Sequence, residues 1–132
     1  MAGYSGTPLW KKLGLKDGMA AAVLDPPDHY AQLLAGGPAA TWGPPRDGMG
    51  FLHLFTARRD RLAETLPMAL SRMARDGMIW ISWPKKASKL PSEITEDVVR
   101  EVALPMGLVD AKVCAVDEIW SGLKLVIRKE LR

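Results

Sequence analysis

Asp76-Gly77-Met78-Ile79-Trp80-Ile81-Ser82-Trp83-Pro84 is the stretch that decides the fold. An Asp-Gly pair marks a turn. Five of the next six residues, Met78 to Trp83, are large and apolar. An unbroken apolar run between breakers is the pattern of a strand covered on both faces, as in the centre of a parallel sheet. Pro84 closes the run, because proline has no N–H for the sheet ladder. Upstream, Arg58 to Ala74 carries Leu62, Leu66, Ala69, Leu70 and Met73 at helical spacing. Pro67 lies inside that span and either kinks the helix or opens a second short one. Phe51 to Phe55 is another apolar run, with His53 in its middle. Downstream, Pro84 to Pro91 is a polar, basic loop. Thr95-Glu96-Asp97 opens a helix, with a capping hydroxyl and acids in the first turn, where the helix dipole favours them. Its apolar face is Val98, Val99, Val102 and Met106, and Gly107 stops it. Asp110 to Asp117 and Gly122 to Lys129 then read as the two strands of an antiparallel hairpin.

The N-terminal third extends the alternation. Thr7-Pro8 has the form of an N-cap followed by proline at the first helical position. The helix carries Leu9, Trp10 and Leu13 and ends at Gly14. After a Lys16-Asp17-Gly18 turn, Met19 to Leu24 reads as a strand, which Asp25-Pro26-Pro27 ends. His29 to Ala35 is a short helix. Gly36 to Gly50 is too rich in glycine and proline for a long element, with Thr41-Trp42 at most a remnant strand. Strands alternating with helices imply right-handed crossovers and a mostly parallel sheet with helices on both faces. The expectation is therefore a three-layer α/β sandwich that ends in an antiparallel β-hairpin.

A chain of 132 residues, 48% hydrophobic and 25% charged, suits one α/β domain over residues 1–132 with a core of its own. The net charge of +3 is scattered along the chain, so no nucleic-acid partner is expected. Cys114 is the only cysteine, which excludes an intrachain disulfide and a cysteine-rich zinc site. It is most simply a small buried residue. His29 and His53 stand isolated, so no metal site is expected. Met1 to Thr7 is small and polar without an apolar signal region, and no apolar run spans a bilayer. These features point to the reducing cytoplasm and away from a membrane. No glycine loop matches a nucleotide fingerprint, no Ser/His/Asp set is assignable from spacing, and no cofactor is expected.

In open parallel sheets, ligands bind outside the carboxyl ends of the strands. That rule selects the loops at Asp25-Pro26-Pro27, Thr56 to Arg59, Pro84 to Ser88 and Asp117 to Gly122. Lys85 and Lys86 suit a phosphate or carboxylate, or a solvated loop. Trp120 suits a stacking platform, or a cover for the sheet edge. Asp117 and Glu118 are adjacent acids, one of them placed to orient a lysine. Strand alternation sends Asp117 and Glu118 to opposite faces, which makes them a poor acid/base pair. Ser121 completes the edge. Asp25 stands where doubly wound folds hold ligand, although a turn cap accounts for it more simply.

The chain also resembles a family of small bacterial proteins known only as a domain of unknown function. Met1-Ala2-Gly3-Tyr4-Ser5-Gly6-Thr7-Pro8, Lys11-Lys12-Leu13-Gly14 and Trp83-Pro84-Lys85-Lys86-Ala87-Ser88 carry the resemblance. So do Thr95 to Glu101, Gly107-Leu108-Val109-Asp110, Lys112 to Asp117, and Trp120-Ser121-Gly122-Leu123-Lys124. Gly36 to Gly50, Pro67 and Pro105 depart from the pattern. The resemblance implies a compartment and a class but no reaction. A looser similarity, to the C-terminal half of Rossmann-like methyltransferases, implies a trimmed version of that fold. Where such enzymes carry a glycine motif for S-adenosylmethionine, this sequence reads Asp25-Pro26-Pro27-Asp28. Prolines there remove amides and block close backbone approach.

The leading expectation is a non-catalytic or cryptic module that binds a small anionic ligand or a protein partner at the strand edge. One alternative is a degenerate group-transfer enzyme using the same edge. The other is a structural interaction domain with an exposed apolar patch around Trp42.

Overall fold

The computed structural model describes residues 7–132. Residues 1–6, read above as part of a polar start without a signal region and of the family pattern, lie outside the described residues. The elements are α1 (Leu9–Leu13), β1 (Ala20–Leu24), α2 (Tyr30–Leu33), β2 (Thr41–Trp42) and β3 (Met49–Phe55). They continue with α3 (Arg59–Arg72), β4 (Met73–Pro84), α4 (Glu96–Ala103), β5 (Leu108–Ala115) and β6 (Trp120–Ile127).

The six strands form one sheet in the order β2-β1-β3-β4-β6-β5. β2, β1, β3 and β4 are mutually parallel. β6 runs antiparallel between β4 and β5, so the closing hairpin inserts its second strand beside β4 and puts its first at the edge. Alternation along the central strands sorts the core into two faces. Leu52, Leu54, Ile79, Ile81, Leu123 and Leu125 pack under α3 and α4 through Leu62, Leu66, Ala69, Val99 and Ala103. Ala21, Phe51 and Trp80 face the other way and meet Leu13 and Leu15. Phe55 and Val116 pack on that second face against Tyr30. The result is the mixed α/β, Rossmann-like three-layer architecture.

Several local readings need correction. The helix at the N-terminus is capped by Pro8 rather than Thr7, and the Pro8 carbonyl accepts the Lys11 and Lys12 amides. Thr95 does cap α4, its hydroxyl accepting from the Val98 amide at 3.2 Å. Pro67 sits inside one uninterrupted α3. Its ring is on the exposed side, where water can satisfy the carbonyl that loses its N–H partner. Asp76-Gly77 does not open β4. Met73 already pairs with Met49 and the ladder resumes at Met78 opposite Phe51, so the residues between bulge out. The Gly36 to Gly50 loop holds β2, whose Thr41 and Trp42 pair with Ala20 and Ala21.

No helix among the described residues is long and apolar enough to cross a membrane.

Candidate functional site

The carboxyl ends of β1, β3 and β4 share one edge with the β5–β6 turn. Two backbone bonds tie that edge together. The Lys85 amide donates to the Ile119 carbonyl at 2.7 Å, and the Thr56 amide to the Ser82 carbonyl at 2.9 Å. The sheet separates the side chains there into two groups, one on each face.

On the α3/α4 face, Lys85, Lys86, Lys89, Thr95, Glu96 and Ser121 line one open groove of about 710 Å³. The loop that carries the lysines is internally braced. The Ser88 hydroxyl donates to the Lys85 carbonyl at 2.7 Å and accepts from the Leu90 amide at 3.2 Å. Lys89 adopts φ 63° and turns the chain back toward α4. Among the described residues, none of the three lysines forms an ion pair. The carboxylates at the groove turn to Arg100, which contacts Glu96 at 3.1 Å and Asp97 at 3.3 Å and also holds Asp110 at 3.1 Å. The groove therefore presents three ammonium groups beside two carboxylates, Glu96 and Asp97, which share Arg100 with Asp110.

On the other face, Trp120 presents its ring edge-on to Phe55, with centroids 5.1 Å apart. It covers the apolar cluster of Tyr30, Phe55 and Val116 and lies away from the lysine groove. Asp117 is not in a strand, so the alternation argument about it and Glu118 does not apply. One Asp117 carboxylate oxygen accepts from the Ile119 and Trp120 amides at 2.8 Å each. The other lies 2.7 Å from His29 Nε2. Burial alone would raise the Asp117 pKa. The Trp120 amide, the His29 ring and the Ile119 amide outweigh that and hold it below the usual carboxylate range. Asp117 thus orients a histidine rather than a lysine, and His29 is not isolated.

His53 is not isolated either. It is fully buried, with Nδ1 3.0 Å from the Tyr30 hydroxyl and Nε2 2.8 Å from the Ser82 hydroxyl. Asp25 lies apart from both groups at the end of β1. It adopts φ 54°, and its carboxylate pairs with Arg61 at 3.1 Å rather than capping the turn. Cys114 is free and half-buried. Among the described residues, no cluster of three or more His, Cys, Asp or Glu side chains could hold a metal ion.

Of the six residues expected at the edge, Lys85, Lys86 and Ser121 therefore come together. Asp117 and Trp120 form a second group, and Asp25 stands alone. Lys89, Thr95 and His29 are the additions that sequence reasoning missed. Lys89 belongs to the same basic loop, which is a signal of a kind. His29 had none.

Residues 51–129 match the model of a family described as a protein of unknown function, DUF3052. No curated protein matches the sequence. Among solved structures, a SAM-dependent methyltransferase from Aquifex aeolicus superposes with TM-score 0.62 at 14% identity, over 90% of this chain and 88% of that one. Magnesium protoporphyrin IX methyltransferase from Synechocystis PCC 6803, with bound SAM, gives 0.56 at 11% identity over 90% and 74%. LepI in complex with SAM gives 0.58 at 13% identity over 92% of this chain, which spans about half, 47%, of LepI. At these identities the likeness is one of fold.

That fold implies S-adenosylmethionine, and the residues after β1 do not fit it. Pro26 and Pro27 offer no amides there, no glycine permits close approach, and the Asp25 carboxylate is held by Arg61.

Proposed function

Since this chain belongs to the DUF3052 family and has a methyltransferase-like fold, we propose that it is a binding module for a small anionic ligand. The carrying observation is the groove in which Lys85, Lys86 and Lys89, none of them in an ion pair among the described residues, stand beside Ser121. Ammonium groups on a braced loop suit phosphate or carboxylate oxygens, and the Ser121 and Thr95 hydroxyls add hydrogen-bonding capacity. The free, half-buried Cys114 suits a reducing compartment, which supports a cytoplasmic setting.

The test is a thermal-shift series with pyrophosphate, nucleotides, acyl-CoA compounds and S-adenosylmethionine. A ligand at a hundred times its dissociation constant adds about 2.7 kcal/mol, or roughly 10 °C for a chain of this size. The shift should fall by more than half in Lys85→Ala/Lys86→Ala and weaken as salt is raised. A shift that persists undiminished in the double variant, or no shift with any anion, overturns the reading.

One observation favours a group-transfer enzyme instead. An imidazole held by a carboxylate, as His29 is by Asp117, is the arrangement of an oriented general base. Stabilisation by S-adenosylmethionine in the same series would move the assignment to that reading.

A further inference from the structure

We propose a second binding site, for a small uncharged planar ring molecule, on the sheet face opposite the lysine groove. It goes beyond the anion-binding reading and does not rest on it. Two short helices cover this face near β1: α1 has five residues and α2 four. On that side β1 contributes only Ala21 and Val23, opposite Phe51 and His53. Short helices over small side chains leave a cavity of about 390 Å³. Trp10 of α1, Tyr30 of α2 and Trp42 of β2 form its aromatic walls, and Val23, Leu34 and Pro38 supply aliphatic surface.

Four features define the occupant. Among the described residues, no charged side chain lines the cavity, so an ionic guest would lose its hydration without a partner. The walls are fixed before binding. The Tyr30 ring is tied to His53 through its hydroxyl, and Trp42 stands edge-on to Tyr30 and to Phe51 at 6.0 Å each. Trp42 remains 42% exposed at the mouth, where its apolar surface is offered rather than buried. The volume falls at the lower end of the range for small-ligand pockets, about 300–1,000 Å³. An α-helix, roughly 10–12 Å across with side chains, is too wide to enter. Gly37 also shapes the cavity wall, since a Cβ there would come within 2.8 Å of the Trp10 ring and 2.9 Å of the Leu34 carbonyl oxygen.

The test is titration with the neutral dye N-phenyl-1-naphthylamine, read by its emission, followed by displacement with indole. Saturable one-to-one binding and displacement are expected. Trp42→Ala, which removes a wall, should weaken binding at least tenfold. Ala31→Trp, which adds bulk at an exposed lining position of α2, should do the same. Circular dichroism and melting temperature report whether each variant is folded; if Trp42→Ala is not, Ala31→Trp decides. Lys85→Ala/Lys86→Ala should bind the dye like the parent, which separates this site from the anion groove. No saturable binding, or binding unchanged in the folded variants, overturns the proposal.

Discussion

Trp80→Ala is expected to lower the unfolding free energy by about 4 kcal/mol, and Trp80→Phe by about 1–2 kcal/mol. Trp80 is fully buried on β4, on the face that meets α1. Its Nε1–H donates to the Leu13 carbonyl at 2.9 Å. That carbonyl belongs to the last residue of α1, one of those the helix cannot satisfy from within. The indole therefore fills the space between helix and sheet and also closes the end of the helix. Gly122 on the neighbouring strand makes room for it, since a Cβ there would come within 3.2 Å of the indole ring. Alanine leaves a cavity and an unsatisfied carbonyl, whereas phenylalanine keeps most of the packing and loses the donor. Urea unfolding followed by far-ultraviolet circular dichroism measures both. For a domain whose whole stability is of order 5–15 kcal/mol, the alanine variant should melt far lower. If phenylalanine proved as costly as alanine, packing would not be the larger part of what Trp80 contributes.

What could be read from the sequence was what local chemistry decides. Met78 to Trp83 announced a central strand because only a position covered on both faces accommodates so continuous an apolar run. Thr95 marked the start of α4 because caps are short-range hydrogen-bonding events, whereas Gly107 ends not α4, which stops at Ala103, but the 3-10 turn Leu104–Met106 that follows it. The early start of β4 was not legible, since Met73 pairs only because Met49 lies opposite it across the sheet. The grouping of the edge residues divides in the same way. Lys85 and Lys86 follow a strand end, which topology alone selects. Trp120 and Ser121 are neighbours in sequence yet lie on opposite faces, because β6 starts at Trp120 rather than at Gly122 and its period of two reaches both residues. The His29–Asp117 contact joins residues 88 positions apart, with no local signal in either segment. It exists because α2 and the β5–β6 turn reach the same edge from different strands. The Tyr30–His53–Ser82 chain is hidden for the same reason: each member belongs to a different element.

That buried chain carries the second large expected effect: folding stability should fall as pH drops from about 6.5 toward 3. Burial pushes His53 down from 6.5 to about 3. The Tyr30 and Ser82 hydroxyls can each turn to accept from an imidazolium, so lost hydrogen bonds are not what opposes protonation. The unrelieved charge in a dry interior is what opposes it. Between the two pKa values the unfolded chain binds a proton that the folded chain refuses, so stability rises with pH across that window. The contribution is complete above the unfolded value and is lost, at about 1.4 kcal/mol per pH unit, as pH falls below it. From pH 7.5 to 5 the loss should be about 2 kcal/mol. Asp117, held below the usual carboxylate range, adds its own acid sensitivity only at lower pH. The interval from pH 6.5 to 5 therefore isolates histidine. The chain has two, and a pair of variants distinguishes them. His53→Gln should be less stable at pH 7.5, because glutamine cannot reproduce both hydroxyl contacts and the 4.2 Å stacking on Phe55, but its stability should hardly change down to pH 5. His29→Gln leaves the buried chain intact and should keep the acid sensitivity that His53 confers. A slope that survived in His53→Gln would mean that this histidine accepts its proton in the folded protein, and hence that water reaches the interior between α2 and the sheet.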